Sequence, residues 1–240
     1  MSNGANKILR LSDVEECIIL ERLNRFVVKI LLDGAIMRAY ICNTGRLLDY
    51  IKEGRRGFCI RHERKLKSDR RLFAVEDGDS AAIIDTQLQM RALERLIASK
   101  MISWIRTCYI LRRNVRLKNS IIDYLLDCNC EGVYLEVKSA ILRSSGYAMY
   151  PDCPSQRGRR HIRVITEHVK SGGRGIILFI AAIPNVEAFK PNISVDPEIG
   201  RLLKEADRTG VVIKAIEMHY DPKSQFICLL NDDLRVENLM

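Results

Sequence analysis

No run of this 240-residue sequence approaches the roughly 20 consecutive apolar residues that a membrane span needs. The opening MSNGANKILRLSDVEE lacks the apolar core of a signal peptide, which makes a cytoplasmic protein the expectation. No CxxC pair occurs. The eight cysteines (Cys17, Cys42, Cys59, Cys108, Cys128, Cys130, Cys153 and Cys228) are scattered, and only Cys128 and Cys130 lie close together. Structural zinc sites usually show two close ligand pairs, so zinc is not expected, and reduced, mostly buried thiols are. Aromatic residues make up only 6% of the chain, which leaves little for an extended base-stacking platform. There is no internal repeat and no low-complexity linker.

Basic residues are abundant instead. The net charge is +9, and the charge is clustered. Lys52 to Arg71 holds nine Lys or Arg against Glu53, Glu63 and Asp69. Arg106 to Lys118 holds five, Arg112 and Arg113 among them, and no acid. The segment QRGRRHIR then brings Arg157, Arg159, Arg160 and Arg163 together. Three separated clusters suit a track for phosphates, which makes DNA the expected partner. Scattered surface charge for solubility is the plainer alternative.

The pattern of apolar residues changes near residue 86. Before it, RFVVKILLDGAIMRAYIC reads as two strands joined at Asp33-Gly34. NTG at 43–45 reads as a turn, with Gly45 free to take positive φ, and RLLDYI as a short helix. GFCIRHE and RLFAVEDGDSAAIID add short strands, so the first half is expected to be a small β-barrel. After it, Leu93, Leu96, Ile97 and Met101 recur at helical spacing with Thr86 as N-cap. Three strand-like stretches follow, then a helix capped by Ser155, the apolar strand GIILFIAAI, a helix capped by Asp196 with Pro197 behind it and Gly210 ending it, and a last strand VVIKAIEM. The second half thus reads α-β-β-β-α-β-α-β, a mixed sheet flanked by helices. Two domains, 1–86 and 87–240, are expected, each with its own sheet.

Within EGVYLEVKSA, Tyr134, Glu136 and Lys138 share one face of a strand. Asp123 lies thirteen residues before Glu136, on the preceding strand, and the turn DCNCEG lets the two converge. Asp123, Glu136 and Lys138 form the pattern D-x12-E-x-K. Paired carboxylates hold Mg2+ or Mn2+ while leaving room for water and phosphate, and a nearby ammonium offsets charge building on phosphorus. A mere ion pair between Glu136 and Lys138 is the plainer alternative. Gln156 and Arg160 share a helix face four residues apart, with Arg157 beside them, and phosphate contact is expected of all three. Lys65, in the first cluster, is expected to do the same. Glu94 is expected to face solvent, with a further acid near the metal as the alternative, and His161 and His168 to be satisfied or exposed rather than catalytic. SGGRG at 171–175 lacks the Lys-Ser/Thr of a phosphate loop and reads as a turn.

The α-β-β-β-α-β placement of these three residues resembles the PD-(D/E)xK nuclease superfamily, in which the residue between Glu and Lys, here Val137, offers its carbonyl to the metal. A closer resemblance covers nearly the whole chain. YPDCPSQRGRRHIRVI is similar to the FPDAPTxRGxKHLxEL block of the sugar fermentation stimulation protein A (SfsA) family. YLEVKS resembles its EVKS strand, SIIDY its SRxDF, and NTGRLLDYI its NTGRL segment. NRFVVKILLDG and DPEIGRLLKEADRTGVVIKAI also fall where that family has similar sequence. The resemblance implies an N-terminal OB-fold-like barrel, a restriction-endonuclease-like C-terminal sheet, and DNA binding. Two positions depart from the family: its Arg is Ile121 here, and the Pro and Asn at the start of the first core helix are Gln89 and Met90. The expected activity is metal-dependent DNA phosphodiester cleavage. The alternatives are a DNA-binding regulatory protein with a vestigial nuclease fold, or a binder of single-stranded RNA or DNA.

Overall fold

The computed structural model describes residues 6–61 and 70–237, so Lys65 lies outside the described residues. In the first half the strands are β1 (Asn6–Arg10), β2 (Glu15–Arg22), β3 (Val27–Leu32), β4 (Ala35–Tyr40), β5 (Arg56–Arg61), β6 (Arg70–Asp77) and β7 (Ser80–Ile83). Along β3 every second residue is buried, the signature of a strand with one face on a core. The expected hairpin joins β3 to β4, with Asp33 and Gly34 both at positive φ. β2 pairs with β3 and β5, β3 with β4, β5 with β6, and β4 with β6, which closes a five-stranded barrel. Ile19, Val28, Ile30, Phe58 and Leu72 fill it.

The second half contains α1 (Thr86–Ala98), β8 (Cys108–Leu117), β9 (Ser120–Cys128), β10 (Glu131–Ser139), β11 (Leu142–Ser144), β12 (Tyr147–Tyr150), α2 (Gln156–Lys170), β13 (Arg174–Ala181), β14 (Ala188–Pro191), α3 (Pro197–Thr209), β15 (Val212–Asp221) and β16 (Phe226–Leu234). β8, β9, β10, β13 and β15 lie side by side, parallel from β10 to β15. β13 is buried along nearly its whole length, as its unbroken apolar run requires. α1 packs against β8 on one face, and α2 against β13 and β9 on the other with α3 beside it. β11, β12 and β14 form a small separate sheet.

Several expectations are corrected here. The halves do not keep separate sheets: β7 pairs with β15 at Ala81 and Tyr220, and the Ile83 N–H donates to the Ala182 carbonyl at 2.8 Å. Neither β1 nor β16 is marked as a strand by the sequence pattern, and the two pair with each other, β16 also pairing with β15. Asp85, not Thr86, caps α1, because its carboxylate accepts the Leu88 N–H at 2.9 Å while also pairing with Arg71. RLLDYI forms turns rather than a helix, with Leu47 at φ 55°. The thiols are not all reduced: antiparallel pairing of β8 with β9 sets Cys108 opposite Cys128, and these two form a disulfide. Ser155, Asp196 and Gly210 cap their helices as the sequence predicts. Among the described residues, no helix is long and apolar enough to cross a membrane.

Candidate active site

β9 and β10 pair from Cys128–Glu131 to Tyr124–Leu135 and then part. At the parting point the Asp123 Oδ2 takes the place of a strand partner and accepts the Val137 N–H at 2.8 Å. A residue's N–H and C=O leave a strand on the same edge. The Val137 carbonyl therefore faces the same gap as Asp123. Tyr134, Glu136 and Lys138 share the α2 face of β10, as the alternation predicts: Tyr134 lies edge-on to His168, and Glu136 meets His161.

Glu136 is buried, and its two oxygens differ. Oε1 accepts from Lys138 Nζ and from His161 Nδ1, the latter at 2.5 Å. Oε2 is buried with no hydrogen-bond partner among the described residues. An unsatisfied buried carboxylate oxygen is costly unless something cationic meets it. Burial pushes the Glu136 carboxyl up, but Lys138 and then His161 outweigh it and hold the group below its ordinary range. Lys138 is itself desolvated, yet Glu136 keeps its pKa above the ordinary value, so it stays an ammonium. Asp123 goes the other way. Burial first, then the neighbouring Glu136 charge, raise it from 3.8 to about 6. The two acids of a pair with opposite shifts, one oxygen orphaned, and a free-edge carbonyl form a donor set of hard oxygens that fits Mg2+ or Mn2+. Asp123, Glu136 and the Val137 carbonyl are the groups that would hold it.

These residues line a half-enclosed cleft of about 610 Å3 between the barrel and the second half. The barrel contributes Arg25, Asn43, Thr44 and Gly45, and the start of α2 contributes Ser155, Gln156 and Arg157. Gly45 does not use its freedom to take positive φ. It is needed for close approach: a Cβ there would overlap the Asp152 carboxylate, which accepts the Leu47 N–H at 3.2 Å. Gly45→Ala should therefore cost about 1 kcal/mol through that hydrogen bond, read as a lower denaturant midpoint. At Gly158 a Cβ would meet the Tyr150 hydroxyl, so this glycine lets Tyr150 stand at the first turn of α2.

The expected phosphate contacts separate into two sets. Arg112 pairs across the strands with Leu125, and Arg116 with Ile121, which puts both on the face of Asp123. Arg113 pairs with Tyr124 and points to the opposite face, where Glu94 binds its guanidinium at 2.6 and 3.0 Å. Glu94 also accepts from the Tyr124 hydroxyl at 3.0 Å, so it does not simply face solvent. Much of the basic charge is already matched: Arg56 pairs with Glu76, Arg70 with Glu15, Arg71 with Asp85, Lys118 with Glu167, Arg159 with Asp196 and Arg163 with Glu198. Arg112, Arg116, Arg157 and Arg160 have no ion pair among the described residues. Gln156 and Arg157 line the cleft, whereas Arg160 lies outside it.

Sequence reasoning missed His161 as a partner of Glu136, and Tyr150 and Ser139 as cleft residues. The signal for His161 was present, since it lies on the face of α2 that carries Ile162 and Ile165 into the sheet.

Comparison with known proteins adds the following. Residues 20–84 match the family described as the SfsA N-terminal OB domain, and residues 87–224 the sugar fermentation stimulation protein RE domain. The sugar fermentation stimulation protein homolog of Pyrococcus furiosus is 42% identical over 92% of this chain and 96% of its own. The homolog of Archaeoglobus fulgidus is 44% identical over 96% and 99%. The solved structure described as Pyrococcus furiosus SfsA in complex with Ca2+ superposes with a TM-score of 0.93 at 42% identity, covering 97% of this chain and all of that one.

Proposed function

The chain belongs to the sugar fermentation stimulation protein A family, and from that premise we propose that it binds DNA and hydrolyses its phosphodiester bonds at Asp123, Glu136 and Lys138 with a bound divalent cation. One observation carries the reading: Asp123, bound to the Val137 N–H where β9 and β10 part, and Glu136, whose Oε2 is buried without a hydrogen-bond partner among the described residues, line the same cleft. The related Pyrococcus furiosus protein was solved in complex with Ca2+, another hard divalent cation.

The reaction joins a water oxygen to phosphorus and breaks one P–O ester bond. It leaves a phosphate monoester, a hydroxyl on the departing sugar, and one proton released. A bound cation would acidify that water and offset charge on the phosphoryl oxygens. Lys138, buried, charged and lining the same cleft, would stabilise the same developing charge. His161 and Lys138 fix the Glu136 carboxylate through Oε1 and so keep Oε2 aimed away from both. Arg157 and Gln156 line the approach and can hold the neighbouring phosphates.

Incubation with labelled duplex, single-stranded and branched DNA in Mg2+, Mn2+ or EDTA tests the activity. Cleavage that requires the metal is expected. DNA binding without cleavage in any metal would favour the regulatory alternative.

Binding itself should be electrostatic. Replacing Arg157 and Arg160 together by Ala should weaken binding to all base sequences about equally and make the salt slope shallower by about 2. Fluorescence anisotropy over a salt series measures both. A loss that depends on base sequence would point to base readout instead.

A further inference from the structure

Building on that reading, we infer that the cleft admits one DNA strand at a time, held between Arg25 of the barrel and Arg157 of α2, so that the substrate is single-stranded or strand-separated DNA rather than continuous duplex. The carboxylates and Lys138 sit in a cleft of about 610 Å3 whose other wall is the barrel. That volume is typical of a site for a small ligand, on the order of one or two nucleotides. A duplex, with two strands and their paired bases, is too bulky to enter a space of that size whole, whereas a single strand can thread it.

The walls are also tied together, so the cleft is not expected to gape. β7 of the barrel side pairs with β15, and Ile83 N–H reaches Ala182. Arg143 binds Asp77 at 2.9 Å and the Pro184 carbonyl at 2.6 Å. The Leu47 N–H is held by Asp152. These contacts span the two halves by strand pairing, ion pair and backbone hydrogen bond, and opening the cleft would break them as a set.

The free charges on the two walls suit a phosphate backbone passing between them. Arg25 and Arg157 both line the cleft, on opposite sides, and neither forms an ion pair with a described residue. Asn43 is fixed behind that wall by its own bonds to Ile84 and Gly45. Next to Arg25, Phe26 is 42% exposed and stacks on Tyr40 with ring centroids 6.3 Å apart. An exposed aromatic beside a phosphate contact is the element on which an unpaired base stacks. Phe26 does not line the cleft itself, so the base it would stack is one on the strand just outside it.

The test separates this inference from the nuclease reading. Binding is measured by anisotropy in EDTA with a 12-nucleotide single strand and the matching duplex, for the wild type, Arg25→Glu, Arg157→Glu and Phe26→Ala. Each variant is expected to lose about tenfold in single-strand affinity, with a smaller change for duplex. Circular dichroism and the melting temperature serve as folding controls. In Mn2+, a single-stranded circle should be cut at least tenfold faster than a relaxed, covalently closed duplex circle. Equal cutting of the two circles would overturn the single-strand inference while leaving the nuclease standing. No cutting of either circle would count against the nuclease, and the anisotropy series would still decide the cleft: unchanged single-strand affinity in all three variants would overturn it.

Discussion

In metal-free buffer at pH 7.5, Asp123→Asn should melt above the wild type. The folded pKa of Asp123 lies near 6, above its ordinary 3.8, so the native state holds this proton more tightly than the unfolded chain does. A carboxyl raised in this way subtracts stability as pH climbs through the window from about 4 to 6, and the full cost is present above it. From that difference the cost is about 3 kcal/mol. Removing the charge should raise Tm by about 6 °C at pH 7.5 and by much less at pH 4. Mn2+ should change the comparison, because it stabilises only the protein that binds it, by about 2.7 kcal/mol at a hundredfold excess over Kd. The wild type should then draw level with the variant or pass it. Scanning calorimetry at the two pH values, with EDTA and with Mn2+, reads all four conditions. A wild type more stable than Asp123→Asn in EDTA would mean that the native state does not carry the charge cost assigned to it.

Cleavage should respond to Glu136 and Lys138 in different ways. Glu136→Gln removes the charge on the orphaned Oε2 and should cost about a thousandfold in rate together with most of the metal affinity. Lys138→Ala should lose a similar factor in rate and yet keep its metal, since Lys138 is a donor to Oε1 and not an acceptor for a cation. That variant leaves Glu136 with His161 as its remaining donor, so it should be less stable in EDTA and recover with Mn2+. Single-turnover rates and Mn2+ binding measured on the same two preparations separate the roles. A Lys138→Ala protein that cuts at the wild-type rate would reduce Lys138 to an ion-pair partner.

Most of the geometry of the candidate site was legible because its information is local. Period-two alternation puts Tyr134, Glu136 and Lys138 on one face, and a short turn brings Asp123 alongside. Ser155, Asp196 and Gly210 announce their helix ends through the chemistry of the caps themselves. What escaped depends on the third dimension. Asp85 outcompetes Thr86 as a cap because Arg71, on a barrel strand, fixes its carboxylate. Arg112 and Arg113 alternate to opposite faces as strand neighbours must, but the bulge before them and the β8–β9 register decide which face each takes, and they turn Arg113 to Glu94. The Cys108–Cys128 bond follows from the same register. Leu47 turns at positive φ where the helical pattern of RLLDYI would have continued, with its N–H tied to Asp152 more than a hundred residues away. β1 finds β16 across almost the whole chain, a pairing that no window of sequence could disclose.

Titration calorimetry with Mn2+ on the wild type, Asp123→Asn and Glu136→Gln tests the metal site most directly. At pH 7.5 the wild type should bind, both variants should bind at least tenfold more weakly, and all three should give the same circular dichroism spectrum. Lowering the pH through about 6 should weaken wild-type binding as Asp123 takes up its proton. Equal Mn2+ affinity in all three proteins would contradict the site and leave Glu136 and Lys138 as a buried ion pair.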